Sequence, residues 1–164
     1  MITPRQQTTV EAVGRHYDDL DVYYRDIWGE HVHHGLWETG RETPEAACEH
    51  LIRVVADAAG VKPGMSVCDV GCGYGVHLAH FSPLSLGIDR LPERVALARS
   101  LGLRAEVRDV EHLGWHLALG DFDLVWISDL VPQLASTDEL LAALPRVLAP
   151  KGRIVFSEWL WPDH

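Results

Sequence analysis

From residue 66 onward the chain alternates between short apolar runs and helical segments. SVCDV (66–70), LSLGID (84–89), LRAEVRD (103–109), FDLVWIS (122–128) and RIVFSE (153–158) have the length and composition of strands. Near-continuous apolar runs suit strands that are covered on both faces. Between them lie LPERVALARSL (91–101) and TDELLAALPRVL (137–148), where apolar residues recur at helical spacing and Thr137 stands as an N-cap. Strands that alternate with helices close up as a parallel, doubly wound α/β sheet with right-handed crossovers. About five strands are expected.

Ahead of this region, Thr43-Pro44-Glu45 supplies an N-cap, a proline at the first helical position and an early acid. With Leu51, Val54, Val55 and Ala58 as the apolar face and Gly60 as the stop, a helix is expected over 44–59. Residues 8–28, TTVEAVGRHYDDLDVYYRDIW, mix apolar and acidic residues at roughly helical spacing and read as one or two helices outside the sheet. The 164 residues, 47% hydrophobic and 23% charged, fit one domain, with 1–42 as an N-terminal segment and 43–164 as the core. A formal charge of -10 with no basic stripe argues against nucleic acid as a partner. No stretch reaches the length of a membrane span, and the N-terminus lacks the apolar centre of a signal peptide, so a cytoplasmic location is expected. Cys48, Cys68 and Cys72 are odd in number and show no Cys-x-x-Cys spacing, which suggests reduced thiols.

The loop most able to carry chemistry is Asp69-Val70-Gly71-Cys72-Gly73-Tyr74-Gly75, directly after the first strand. Alternate glycines allow a tight turn and a close approach of backbone to ligand, beside the free N–H groups of the helix that follows. Asp89 ends the second strand 18 residues beyond Gly71, near the spacing of a carboxylate that accepts hydrogen bonds from a ribose diol. Dinucleotides and S-adenosylmethionine both use this arrangement. The last glycine of the dinucleotide fingerprint would fall at position 76, which is Val76, whereas Gly75 completes a GxGxG. Asp69 would sit well near a cationic amino-acid group and poorly beside a pyrophosphate. A nicotinamide oxidoreductase is therefore the weaker reading.

With these residues in place the chain resembles the class I S-adenosylmethionine-dependent methyltransferases, over about residues 10 to 159. VCDVGCGYG is similar to their first motif, GIDRLPERVALAR to the ribose-binding strand and helix, VRDVEHL to the third-strand acid, FDLVWISDLV to the fourth motif and LPRVLAPKGRIVFSEW to the helix, turn and fifth strand. The resemblance implies a Rossmann-like fold and S-adenosylmethionine as cofactor. It implies that Asp69, Gly71, Gly73 and Gly75 line the methionine and ribose, Asp89 the ribose hydroxyls, Arg90 the adenine face, Asp109 and Val110 the adenine edge, and Ile127 the carboxylate end. YDDLDVYYRDIWGEHVHHGLW resembles the entry segment of the tocopherol, small-amine and cyclopropane-synthase-like branch. On that likeness Tyr17, Tyr24, Trp28, His34 and Trp37 form a lid that packs around a sulfonium and excludes water. His34 and Tyr24 are the candidates for catalysis. A metal at His31, His33 and His34 is disfavoured, because adjacent imidazoles diverge and no H-E-x-x-H or facial carboxylate accompanies them.

Three departures from the family pattern stand out. The interval from the glycine loop to Asp89 is about one helical turn short, so the first helix, VHLAHF, must be brief. Pro132 and Gln133 stand where relatives often carry Glu-His, leaving Asp129 as the nearest acid. The usual sixth and seventh strands are lacking, which leaves the fifth strand as an open edge and raises a homodimer through that edge as a hypothesis. The expected activity is methylation of a small-molecule acceptor at N, O or C. A catalytically inactive S-adenosylmethionine-binding module that acts through a partner is the alternative.

Overall fold

The computed structural model describes residues 35–158. Helix α1 (Pro44–Ala59) opens as the sequence predicts: the Thr43 hydroxyl accepts the Ala46 N–H at 3.3 Å, and Gly60 closes it with a φ of 67°. Strands β1 (Val67–Val70), β2 (Leu86–Asp89), β3 (Ala105–Val107), β4 (Phe122–Ser128) and β5 (Leu148–Ser157) form one sheet in the order β3-β2-β1-β4-β5. All four pairings are parallel. Helix α2 (Pro92–Ser100) crosses from β2 to β3, and α3 (Asp138–Ala143) precedes β5.

Side chains alternate across β1 and β4, which sorts the core into two faces. Cys68, Val70, Val125 and Ile127 join Leu140 and Leu144 from the α3 region in the larger cluster. Val67, Leu124 and Trp126 pack on the other face against Val55, Ala56 and Ala59 of α1. The register of β1 against β4 is pinned at its lower end by Asp123, whose carboxylate accepts the Ser66 N–H at 2.8 Å and the Ser66 hydroxyl at 3.0 Å.

Several sequence expectations are corrected locally. The helix expected over 137–148 is α3 followed by a 3-10 turn at Leu144–Arg146, because Pro145 has no N–H to continue the α-helical ladder. Thr137 precedes that helix but makes no side-chain cap. β5 begins five residues earlier than expected, at Leu148, and an irregular register between Phe122 and Leu124 of β4 absorbs the Lys151-Gly152 turn. The brief first helix is a single 3-10 turn, Leu78–His80. Cys48, Cys68 and Cys72 are free and buried. Among the described residues no helix is long and apolar enough to cross a membrane, and β5 has β4 as its one strand neighbour.

Candidate functional site

The strand order reverses direction between β1 and β4, and in such sheets the crevice beyond the C-terminal strand ends at this point is where ligands bind. The glycine loop fills its near side. Gly71 N–H and Cys72 N–H both donate to the Ile88 carbonyl, at 2.8 and 3.0 Å, so the loop is laced to the end of β2. Asp89 adds a second tie: one carboxylate oxygen accepts the Gly73 N–H at 2.9 Å and the other accepts the Leu91 N–H at 2.9 Å. Both oxygens keep acceptor capacity, as a ribose diol requires.

The three loop glycines have different reasons to be glycine. Gly73 has a φ of 53° and nothing within 4 Å of where a Cβ would stand, so its backbone borders open space. Gly71, at φ 79°, lies against Leu130, whose Cδ1 would be 3.1 Å from such a Cβ. Gly75, at φ 91°, faces inward, where a Cβ would meet Leu103 Cδ1 at 2.4 Å and Ala98 Cβ at 3.4 Å. The missing side chain lets α2 and the loop before β3 close on the glycine turn, so any ligand would meet Gly75 through its main chain.

Asp69 is 1% exposed. The Leu78 main-chain N–H donates to its carboxyl, while Oδ2 finds no hydrogen-bond partner among the described residues. Burial, reinforced by the like charge of Asp89 and only partly offset by the Leu78 N–H, pushes its carboxyl up to about 7. Its neighbour in register on β4 is Trp126, whose Nε1 is also buried without a partner among the described residues and whose ring packs on His77 at 5.6 Å and Phe81 at 5.3 Å.

On the opposite rim, Arg90 pairs with Glu111 at 3.5 Å, and the Asp109 carboxylate accepts the Glu111 N–H at 3.0 Å and meets His112 Nδ1 at 3.1 Å. Glu111, which the sequence reading missed, also accepts the Ala135 and Ser136 N–H groups at 2.8 and 2.9 Å. It thereby joins the loops after β2, β3 and β4. The side chains of Val110 and Ile127 lie in the hydrophobic core, which leaves their main-chain atoms to face a ligand. Tyr17, Tyr24, Trp28 and His34 lie outside the described residues. Trp37 is described: the preceding Leu36 N–H ties the chain to α1 by donating to the Ala47 carbonyl at 2.9 Å, and Trp37 Nε1 donates to the Glu42 carbonyl, just ahead of that helix, at 3.2 Å.

Glu158, just past β5, is a further residue that sequence reasoning passed over. Its Oε1 accepts the Leu130 and Val131 N–H groups at 3.1 and 3.0 Å, and its Oε2 is buried without a partner among the described residues. Burial raises its pKa, the two N–H groups oppose the rise, and nearby Asp129 adds to it. Asp129 itself holds a φ of 53°, an uncommon conformation for a residue with a side chain, at the end of β4.

The fold is that of a Rossmann-like α/β domain, with a glycine loop, a carboxylate at the end of the second strand and an acid after the third at the C-terminal strand ends. Comparison with known proteins narrows this. The family described as "methyltransferase domain" matches residues 61–160, and the "mycolic acid cyclopropane synthetase" family matches residues 4–83. The chain belongs to the methyltransferase-domain family and is of the class I, S-adenosylmethionine-dependent type. It is 29% identical over 171 residues to the chloroplastic tocopherol O-methyltransferase of Arabidopsis thaliana, spanning 91% of this chain and 49% of that protein. It is 26% identical over 162 residues to the 27-O-demethylrifamycin SV methyltransferase of Amycolatopsis mediterranei, spanning 93% of this chain and 60% of the relative. The crystal structure of the [4+2]-cyclase SpnF superposes with a TM-score of 0.75 at 26% identity, covering 92% of this chain and 60% of that one. The chain thus spans about half to three-fifths of the length of these relatives.

Proposed function

We propose that the chain binds S-adenosylmethionine and transfers its methyl group to a small-molecule acceptor. The observation that carries this reading is the join between Asp89 and Gly73, a carboxylate already oriented by two main-chain N–H groups beside an open, side-chain-free stretch of loop. Relatives described as methyltransferases support it, and the cyclase among the structural neighbours shows why the site must carry the assignment as well as the fold.

The residues present fit the cofactor. Asp89 would hold the ribose hydroxyls, the Gly71 to Gly73 turn would leave room for the sulfur arm, and Asp69, whose Oδ2 is buried without a partner among the described residues, would supply negative potential for its cationic end. When bound, the cofactor supplies an electrophilic methyl on a positively charged sulfur. The chain's task is then alignment and exclusion of water, since an in-line displacement with a neutral leaving group gains much of its rate from positioning. Tyr17, Trp28, Tyr24 and His34 are proposed for the covering segment, with His34 and Tyr24 nearest the transferred group. Arg90 and Asp109, tied together through Glu111, would border the adenine. An alcohol, a phenol or a carbon acceptor gives up a proton on methylation and a protonated amine must lose one before it attacks, whereas a neutral amine attacks without prior deprotonation.

Calorimetric titration with S-adenosylmethionine, S-adenosylhomocysteine and NAD tests the reading: the two sulfur nucleosides should bind and NAD should not. Binding of neither sulfur nucleoside refutes it. Asp89→Ala is expected to weaken nucleoside binding by roughly 1–3 kcal/mol, about 5- to 150-fold, through loss of charge-assisted hydrogen bonds. An unchanged Kd would remove Asp89 from the site.

A further inference from the structure

Strands β2 and β3 end in the same kind of turn. Asp89 Oδ1 accepts the Leu91 N–H at 2.9 Å, and Asp109 Oδ1 accepts the Glu111 N–H at 3.0 Å, so each aspartate closes a loop over one intervening residue. In the second turn that residue is Val110, 6% exposed and packed in the core, which fixes the main chain of Glu111 from below. In the first it is Arg90, whose long side chain the turn itself does not hold.

Glu111 holds it. The two oxygens of this carboxylate have separate partners: Oε1 accepts the Ala135 and Ser136 N–H groups at 2.8 and 2.9 Å, and Oε2 stands 3.5 Å from Arg90 Nη1. Both side chains of the ion pair are largely out of solvent, at 16% exposure for Arg90 and 19% for Glu111, so it is screened less than a surface pair. Arginine has many rotamers, and a ligand that must immobilise such a side chain on arrival binds more weakly than one that meets it already placed.

We propose that Glu111 is a positioning residue for the nucleoside side of the site: anchored on the loop after β4, it holds the Arg90 guanidinium in place before any ligand arrives. This rests on the reading of the site given above, in which Arg90 borders the adenine. Glu111 touches no ligand itself, since both its oxygens are engaged by the protein, and it acts through Arg90.

Glu111→Gln separates positioning from support. The amide oxygen of a glutamine can still accept the Ala135 and Ser136 N–H groups, but its NH2 group sets donor against donor at Arg90. The urea midpoint should therefore change little. Calorimetric titration with S-adenosylhomocysteine should show a Kd raised roughly 2- to 12-fold, the cost of immobilising one long side chain on binding. The same factor is expected with 5′-deoxy-5′-methylthioadenosine, which keeps the nucleoside and lacks the amino-acid arm. In an Arg90→Ala background, Glu111→Gln should leave both Kd values where Arg90→Ala alone puts them. The 15N relaxation of the Arg90 Nε–H in the ligand-free wild-type protein gives a reading that needs no variant, and an order parameter well above the ~0.6 of flexible groups is expected.

An unchanged Kd in Glu111→Gln, an equal loss with and without Arg90, a loss confined to S-adenosylhomocysteine, or an order parameter below about 0.6 each overturns the proposal and leaves the cofactor assignment standing. Failure of the wild-type chain to bind either nucleoside overturns both.

Discussion

Gly87→Ala is expected to destabilise the fold by about 2–3 kcal/mol and to weaken nucleoside binding, although Gly87 lies inside a strand and touches no ligand. A Cβ at this position would stand 2.6 Å from Cys72 Sγ, 2.8 Å from Cys72 Cβ and 2.9 Å from Leu78 Cδ2. Cys72 belongs to the glycine loop and Leu78 to the 3-10 turn that follows, so the absent side chain of Gly87 is the seat on which the loop rests. The Cys72 Cβ cannot swing aside as the end of a long side chain could; the loop backbone must lift instead. Lifting it stretches the Gly73 to Asp89 hydrogen bond, which couples the packing fault to the binding site. Gly73→Ala provides the contrast. Its Cβ meets nothing within 4 Å, so it should cost only about 1 kcal/mol in backbone strain while placing a methyl group in the crevice. Chemical denaturation combined with titration of S-adenosylhomocysteine separates the two: Gly87→Ala should lose mostly stability, Gly73→Ala mostly affinity. The reverse pattern would mean that the loop does not rest on β2 as described.

This contrast also shows what was legible in the sequence. The alternation of apolar runs and helices is a local signal, so the parallel sheet and the span of α1 could be read directly. Asp89 was readable because its distance from Gly71 reflects one strand-turn-strand repeat. The division of labour among Gly71, Gly73, Gly75 and Gly87 was not, since it depends on what stands opposite each Cα: Leu130, open space, Leu103 and Cys72 respectively. Glu111 and Glu158 escaped for a related reason. Each satisfies main-chain N–H groups 24 to 28 residues away, on loops that only the finished sheet brings together. Val110 and Ile127 were placed near the ligand by motif position, which does not say which atoms face it: Ile127 turns its side chain to the core through the alternation of β4, and Val110, beyond the end of β3, does so through packing that only the finished fold shows.

Stability of the ligand-free protein should fall between pH 4 and pH 7, where many proteins approach their maximum. An unfolded aspartate ionises near 4, whereas burial and the charge of Asp89 hold Asp69 at about 7 in the fold. Across this interval the native state keeps a proton that the unfolded state has released, so each rise in pH favours unfolding. Three units of displacement correspond to roughly 4 kcal/mol, fully lost once the pH passes 7. Glu158, raised by its own burial, acts in the same direction. Glu42 acts oppositely: Thr39 and Arg41 N–H groups lower its carboxylate to about 2, so its contribution is lost only as the pH falls below 4 and helps set the acid limit. Urea unfolding at pH 5 and pH 7.5 should therefore show the higher midpoint at pH 5. Saturating S-adenosylhomocysteine should narrow or invert that difference, because a bound ammonium stabilises the ionised Asp69 that the empty site penalises. Equal midpoints at the two pH values, with an Asp69 carboxyl titrating near 4, would show that the fold shelters this charge in some other way.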